Sequence, residues 1–275
     1  MFKVSTNLLS LITTLALLGT GSVQAGTITI DTFGAAGGRV IVGAEDFGQT
    51  QIPFIQRPVT TPAPSIIGGY RDLFLNNVIG NLAEQTATAV VSTSSGNLSY
   101  SNEASISSQL EITWDGRDNS PTVNKTGLGG IDITDGKLND AITILFQSAD
   151  LSLATTFKIW DISGNLATAS FTFPQRITNQ TLNFVFFQND FNQITGNKAL
   201  FQQQSLAPVD FTKVGAMQLI LTGNPSSLPE LDATMDIVDS RDLVPEVVEV
   251  PEPTSFVSLL AVTGLVLILG GKKKS

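Results

Sequence analysis

The 275-residue sequence contains no histidine and no cysteine. Without histidine, the chain cannot build a Ser-His-Asp triad, a Cys-His pair or a His-ligated metal site. Without cysteine, it has no disulfide framework and no thiol chemistry, although a domain of this size can form its core without disulfides. These two absences exclude the common nucleophilic mechanisms and every histidine-bound metal.

The chain is also poor in charge, because only 14% of its residues are charged. When Lys3 and Lys272 to Lys274 are set aside, 11 basic residues remain against 24 acidic ones, a formal charge of -13. An acidic surface of this kind repels phosphate backbones, so we expect no nucleic acid partner. It could instead attract divalent cations.

Residues 1–25 have the three parts of a secretory signal peptide. Lys3 provides the positive start, Leu8 to Leu18 is an apolar stretch too short to span a bilayer, and Val23 to Ala25 is a small-residue cleavage site. The sequence predicts cleavage between Ala25 and Gly26 after export through the Sec machinery. An uncleaved N-terminal anchor is the alternative.

Residues 26–240 predict one all-β domain. Thr27 to Phe33 and Ser105 to Trp114 alternate polar and apolar residues, and Ser95 to Asn97 is a hairpin turn. About a dozen short strands follow one another, separated by Gly, Asn and Pro turns, without sustained helical periodicity. We therefore predict an antiparallel β-sandwich, jelly-roll-like, between an N-terminal signal helix and a C-terminal transmembrane helix.

The C-terminal segment has three parts in a fixed order. Residues 241–253 form an acidic, proline-containing linker that ends in Pro251, Glu252 and Pro253. Residues 254–271 predict a transmembrane helix, which contains an uncharged run of 16 residues from Phe256 to Gly271. Residues 272–275 form a basic tail, and the positive-inside rule places Lys272, Lys273 and Lys274 in the cytoplasm and the domain outside.

This arrangement of triplet, helix and lysine cluster resembles the PEP-CTERM sorting signal of Gram-negative bacteria and cyanobacteria. The resemblance implies that an exosortase, an integral-membrane cysteine protease, recognises Pro251-Glu252-Pro253 and removes the helix. The cargo is then released or attached outside the cell, often together with exopolysaccharide. We therefore expect an exported protein whose mature form is at the cell surface or extracellular. A permanent single-pass membrane anchor is the alternative.

The domain loosely resembles the secreted β-sandwich cargo found with this tail, on four stretches: Gly69 to Leu73, Trp114 to Asp118, Gly127 to Thr134, and Val214 to Leu221. They are similar to segments of galactose-binding-like jelly rolls. The resemblance implies a structural or carbohydrate-binding module of the cell envelope or extracellular matrix. It rests on fold, and such folds carry many functions.

A polar turn after one predicted strand is the first candidate site. Trp114 could stack on a sugar ring, and Asp115, Arg117 and Asp118 could bind its hydroxyl groups. Alternatively, Trp114 continues the buried phase of its strand, and the two aspartates only cap a polar turn.

An oxygen-rich loop is the second candidate. Asp132 and Asp135 lie among glycines in a loop that could bind Ca²⁺, the one cofactor that we consider. The loop matches neither the EF-hand nor the glycine- and aspartate-rich repeat, so ordinary turn chemistry is the alternative interpretation.

Arg71 and Asp72 are adjacent charges within a predicted strand. Their side chains point to opposite faces, so we interpret Arg71 as a buried cation that pairs with a carboxylate from another strand. No acid pair stands out for catalysis, and no glycine-rich phosphate loop is present. We therefore predict a protein that is not an enzyme. The alternative is a secreted polysaccharide hydrolase with two catalytic carboxylates.

Overall fold

The computed structural model describes residues 25–34, 38–42, 54–55, 62–79, 86–118, 120–223 and 230–244. The predicted signal peptide before Ala25, the Pro251-Glu252-Pro253 triplet, the predicted transmembrane helix and Lys272 to Lys274 lie outside these residues. Within them, no helix combines the length and the hydropathy that a membrane span requires.

Just over half of the described residues lie in strands. The strands are β1 (Ile28–Asp31), β2 (Gly38–Val42), β3 (Phe54–Ile55), β4 (Asp72–Ile79), β5 (Ala87–Ser92), β6 (Asn97–Asn102), β7 (Ser107–Trp114), β8 (Ala141–Ala149), β9 (Leu153–Asp161), β10 (Leu166–Phe173), β11 (Ile177–Val185), β12 (Asn197–Leu200), β13 (Gln202–Gln203), β14 (Val214–Gly223) and β15 (Leu231–Arg241). A short helix, α1 (Gln188–Gln193), follows β11, and a single 3-10 turn spans Ile67–Gly69.

The strands assemble into two sheets. The eight-stranded sheet has the order β12-β11-β8-β15-β6-β5-β2, with β1 also paired to β15. The seven-stranded sheet has the order β13-β10-β9-β14-β7-β4-β3. Several neighbours, such as β8 with β15 and β7 with β14, are far apart in sequence, as in sandwiches whose chain crosses between the sheets. The predicted all-β, two-sheet fold is confirmed.

One pair among the described strands departs from the predicted antiparallel arrangement. β11 and β12 are parallel, with Leu182 opposite Asn197 and Val185 opposite Leu200. A parallel pair needs a connection that brings the chain back to the starting end. Here α1 lies in that connection. The sequence did not predict this helix, because its six residues are too short for a helical period to be visible.

The core lies between the sheets and is rich in aromatic rings. Phe157 of β9 stacks on Trp114 of β7, with ring centres 6.1 Å apart. It also meets Phe184 of β11, in the other sheet, at 5.4 Å, and Phe201 at 6.1 Å. All four side chains are buried. The two sheets are therefore held together by a continuous apolar layer.

Candidate functional site

A buried ion pair joins the two sheets at one end of the core. Asp31 of β1 accepts a hydrogen bond from Nη1 of Arg71 at 2.6 Å and one from Nε1 of Trp114 at 2.9 Å, both at Oδ2. Its other oxygen accepts the backbone N–H of Phe33 at 2.8 Å. The interpretation of Arg71 as a buried cation paired with a carboxylate from another strand is confirmed.

The position of Trp114 does not support a sugar-stacking role. Its side chain is fully buried, its indole N–H bonds Asp31, and its ring packs on Phe157. Because successive strand residues point to opposite faces, Arg71 and Trp114 face the core while Asp72 and Asp115 point the other way. Trp114 is therefore not available to stack on a sugar ring, and only Asp115, Arg117 and Asp118 remain of the predicted ligand-binding group.

Three aspartates converge on that other side. Asp72 begins β4, and Asp115 and Asp118 follow β7, its neighbour in the sheet. The register pairs Asp72 with Thr113, which brings Asp115 to the same face. One carboxylate oxygen from each aspartate lies within 4.8 Å of the others. We call Asp72, Asp115 and Asp118 the aspartate cluster.

Two glycines hold the turn that carries the aspartate cluster. Gly116 has a φ of 86°, a conformation that glycine adopts without strain. A Cβ on Gly116 would lie 2.7 Å from the carbonyl oxygen of Gly127, and a Cβ on Gly127 would lie 1.6 Å from that of Asp115. The two backbone segments therefore touch directly, and neither position has room for a side chain.

The surroundings of the aspartate cluster leave its negative charge uncompensated. Asp115 accepts the backbone N–H of Asn124 at Oδ2, 2.7 Å away, and Arg117 lies over the ring of Tyr70. In the described part of the chain, no ion pair includes Asp72, Asp115 or Asp118. Burying carboxylates without a counter-charge is costly.

The cost of burying these charges raises the pKa values of two aspartates in the cluster. Burial is the largest of the causes that raise the pKa of Asp72 to about 7, and the nearby carboxylates of Asp115 and Asp118 and a hydrogen bond with Asp118 contribute to the same shift. Burial also raises the pKa of Asp115 to about 6, although the N–H of Asn124 partly opposes the shift. Each charged carboxylate makes ionisation of its neighbour less favourable. The cluster therefore holds protons at a pH where an ordinary aspartate is fully charged.

Two unpaired carboxylate oxygens are the most informative feature of the aspartate cluster. Oδ2 of Asp72 and Oδ1 of Asp115 are buried and have no hydrogen-bond partner. The two residues are only 7% and 1% exposed. Buried polar atoms are nearly always satisfied in proteins, so two orphaned carboxylate oxygens in one cluster are exceptional.

In the predicted calcium loop, the carboxylate oxygens of Asp132 and Asp135 accept hydrogen bonds from the protein itself. Oδ1 of Asp132 accepts from the N–H and the hydroxyl of Thr134, and Oδ2 accepts from the N–H of Gly136. Burial alone would raise the pKa of Asp132, but these hydrogen bonds lower it overall. Oδ2 of Asp135 accepts the N–H of Gly26 at 2.6 Å. In the described residues, the grouping with metal-binding geometry is the aspartate cluster and not Asp132 with Asp135.

A cavity of about 330 Å³ opens elsewhere on the domain. Its wall includes the rings of Phe187 and Phe211 and four polar residues, namely Thr134, Lys137, Asp210 and Thr212. Phe187 is 38% exposed, which is unusual for a phenylalanine. Behind the cavity, Phe211 packs on Phe186 and Phe201, with ring centres 4.9 and 5.7 Å apart. We call this space the Phe187 cavity.

Local hydrogen bonds hold the polar rim of the Phe187 cavity. Asp210 accepts hydrogen bonds from the N–H and the hydroxyl of Thr212, and these bonds lower its pKa. Lys137 has a φ of 74°, and its N–H donates to the hydroxyl of Thr134. A lysine in this backbone region is strained, and such strain concentrates at functional sites.

Two of these features had almost no signal in the sequence. Asp72 is 43 positions from Asp115, and only the pairing of β4 with β7 brings the two together. Phe187 follows a strand whose final residues are all buried, so nothing in the alternation marked it as exposed. In contrast, the sequence did single out Asp115, Arg117 and Asp118, and the structure places two of them in the aspartate cluster.

Comparisons with known proteins give only distant likenesses. No protein-family model matches the chain, and no curated protein matches it. An agarase structure is 8% identical over 62% of this chain and 22% of its own, with a TM-score of 0.38. An exo-β-agarase is 11% identical over 64% of this chain and 22% of its own, with a TM-score of 0.36.

A third likeness is to a complete binding module. The family 11 carbohydrate-binding module from Clostridium thermocellum, solved with a β-1,3-1,4-mixed-linked tetrasaccharide, is 10% identical over 80% of this chain and 98% of its own. Its TM-score is 0.35. This chain spans about a fifth of the length of the agarases (22%). Likenesses at this level carry no information about function.

Proposed function

We propose that the protein is an exported component of the cell envelope or extracellular matrix, and that its β-sandwich is a carbohydrate-binding module without catalytic activity. The observation that carries the binding role is the Phe187 cavity, in which an exposed aromatic ring faces polar side chains. The export role rests on the terminal segments of the sequence.

The chemistry of the Phe187 cavity suits a sugar. The apolar face of a pyranose ring can lie against the exposed ring of Phe187, as sugars do on aromatic side chains. Lys137, Asp210 and Thr212 offer donors and acceptors for hydroxyl groups. A volume of about 330 Å³ is near the lower end of ligand pockets and suits one or two sugar units of a longer chain.

The proposal of export and sorting rests on the two terminal segments of the chain. The N-terminal segment directs the chain to the Sec machinery, and the lysines at the other end keep the tail in the cytoplasm. An exosortase-like membrane protease would cut at Pro251-Glu252-Pro253 and free the domain outside. The binding module would then reach exopolysaccharide at the cell surface.

The binding role is tested by affinity electrophoresis of the full chain in gels that contain the host's exopolysaccharide. We expect retardation of the wild type, and loss of most of it in Phe187→Ala. The matched control is Leu206→Ala, which removes another exposed apolar side chain. Equal retardation of both variants, or no retardation of the wild type, would contradict the carbohydrate role.

A second candidate function rests on the aspartate cluster. Glycosidases use two carboxylates, one of which has a raised pKa so that it can act as an acid. Asp72 has that property and lies beside two further carboxylates. A hydrolase would release reducing ends from polysaccharide, and Asp72→Asn would abolish the release. However, Asp72 and Asp115 are too deeply buried for a sugar chain to reach, so we favour the binding role.

Permanent anchoring is the remaining alternative to sorting. Intact-mass measurement of the protein recovered from the native host decides between them. A mass that corresponds to a chain beginning at Gly26 and ending near Pro251-Glu252-Pro253 supports sorting. A mass that still includes Lys272 to Lys274 shows that the tail remains and overturns the sorting proposal.

A further inference from the structure

We propose that Asp72, Asp115 and Asp118 form a binding site for a calcium ion. One oxygen from each carboxylate lies within 4.8 Å of the others, and the side chains come from the ends of two neighbouring strands. Oxygens on opposite sides of a bound Ca²⁺ are about 4.6 to 5.2 Å apart, because Ca–O distances are about 2.3 to 2.6 Å. The cluster therefore has the dimensions of a calcium coordination sphere.

The two orphaned oxygens give independent support. Oδ2 of Asp72 and Oδ1 of Asp115 have no hydrogen-bond donor, although both residues are more than nine-tenths buried. Other aspartates of this domain have their oxygens satisfied, as Asp31 and Asp132 illustrate. A cation bound by these oxygens would satisfy both and would supply the missing positive charge.

The donor set determines the class of metal. All three ligands are hard carboxylate oxygens, and the chain has no histidine or cysteine to attract a softer metal. Calcium tolerates irregular geometry and adds backbone carbonyls and waters, whereas magnesium requires a nearly ideal octahedron. An outward-facing, exported domain would meet calcium at concentrations that suit affinities of about 10⁻⁴ to 10⁻³ M.

The site is held in place by the backbone and remains open to an ion. The contact between Gly116 and Gly127 fixes the turn that carries Asp115 and Asp118. The N–H of Asn124 fixes Asp115, and the N–H of Ser120 fixes Asp118 at 3.0 Å. Asp118 is partly exposed, so an ion can enter on its side.

Calorimetric titration of the full chain with calcium chloride, after treatment with a chelator, tests the proposal. We expect one calcium ion per chain and a rise in Tm upon its addition. Asp118→Asn should weaken binding about tenfold or more, because it removes one of three charged ligands. We choose this variant because Asp118 is the least buried of the three. Asp232→Asn removes a charge from an exposed strand position and should bind as the wild type does.

Three results would overturn the proposal. The first is that the wild type does not bind calcium at 5 mM, a concentration about five times the largest Kd expected. The second is unchanged affinity in both Asp118→Asn and Asp72→Asn. The third is loss of binding in Asp135→Asn with retention in Asp118→Asn, which would move the site to the neighbouring loop. Because Phe187→Ala leaves the aspartate cluster intact, this test and the carbohydrate test can fail separately.

Discussion

The backbone nitrogen of Gly26 donates a hydrogen bond to Oδ2 of Asp135 over 2.6 Å, across 109 positions of sequence. Gly26 is the first residue after the predicted signal cleavage site. If cleavage occurs there, this nitrogen becomes a charged α-amino group, and the hydrogen bond becomes an ion pair. Signal removal would then add a positive charge to a contact that the precursor already makes.

The first prediction concerns this new N-terminus. Asp135→Asn should destabilise the mature protein that begins at Gly26 by about 0.5 to 1 kcal/mol, since the pair is near the surface. The loss should disappear above about pH 9, because the α-amino group loses its charge above its ordinary pKa of about 8. Urea unfolding at pH 7 and pH 9.5 measures both effects.

A chain with one additional residue before Gly26 is the control for this prediction. It carries a neutral amide nitrogen at Gly26, so Asp135→Asn should cost it less at pH 7. Equal costs in both chains would show that the charge of the N-terminus contributes nothing.

The second prediction concerns the ion pair between the sheets. Arg71→Met leaves the buried Asp31 carboxylate without its cation and should cost about 3 to 5 kcal/mol. Replacing both residues, as in Asp31→Leu with Arg71→Met, should recover much of this loss because no charge remains buried. Midpoints of urea unfolding give both values.

Lys213→Met is the matched control for Arg71→Met. Lys213 pairs with Asp210 at 3.5 Å, but both side chains are exposed. Such pairs contribute about 1 kcal/mol or less, so this variant should remain close to the wild type. An equally large loss in Lys213→Met would mean that burial does not determine the cost.

Local sequence patterns predicted most strands, because the buried face of each strand recurs every second residue. Ser105 to Trp114 was predicted as a strand, and β7 spans Ser107–Trp114. The patterns did not predict which strands are neighbours. The aspartate cluster depends on the pairing of β4 with β7, a long-range choice that no local period encodes.

Trp114 shows a different limit of prediction from sequence patterns. Its alternation phase indicated burial, and the structure buries its ring. The polar residues after it indicated a surface site, but Asp115, the first of them, is only 1% exposed. The strand ends at Trp114, so the core residue and the polar turn are adjacent in sequence. Only the structure separates the ring, which bonds Asp31 in the core, from Asp115 on the opposite face.

The third prediction concerns the pH dependence of stability in chelator-treated protein. The pKa values of Asp72 and Asp115 rise on folding to about 7 and about 6. The folded state therefore binds more protons than the unfolded state between about pH 4 and pH 7, and stability falls as pH rises through that window. We expect Tm to be about 10 °C lower at pH 8 than at pH 5, because the two shifts correspond to about 4 kcal/mol in stability over that range.

Asp72→Asn is the variant that isolates this effect. It removes one titrating group and one charge from beside Asp115 and Asp118, so the fall in Tm between pH 5 and pH 8 should shrink. Asp232→Asn should show the same fall as the wild type. A pH profile that is identical in Asp72→Asn would contradict the raised pKa.

The fourth prediction concerns the contact between Gly127 and Asp115. A Cβ at Gly127 would lie 1.6 Å from the carbonyl oxygen of Asp115, so Gly127→Ala must push the two backbone segments apart. We expect a loss of about 3 kcal/mol or more, as for a severe clash in a packed interior. Because the turn that carries Asp115 and Asp118 would move, calcium affinity should fall as well.

Gly129→Ala is the matched control two residues away. Gly129 has a φ of 72°, but a Cβ there would meet nothing within 4 Å, so only backbone strain of about 1 to 2 kcal/mol opposes the change. Calcium affinity should remain that of the wild type, since the turn is not displaced. Thermal unfolding and calorimetry of the two variants test these expectations together. Wild-type affinity in a folded Gly127→Ala protein would show that the close backbone contact does not position the aspartate cluster.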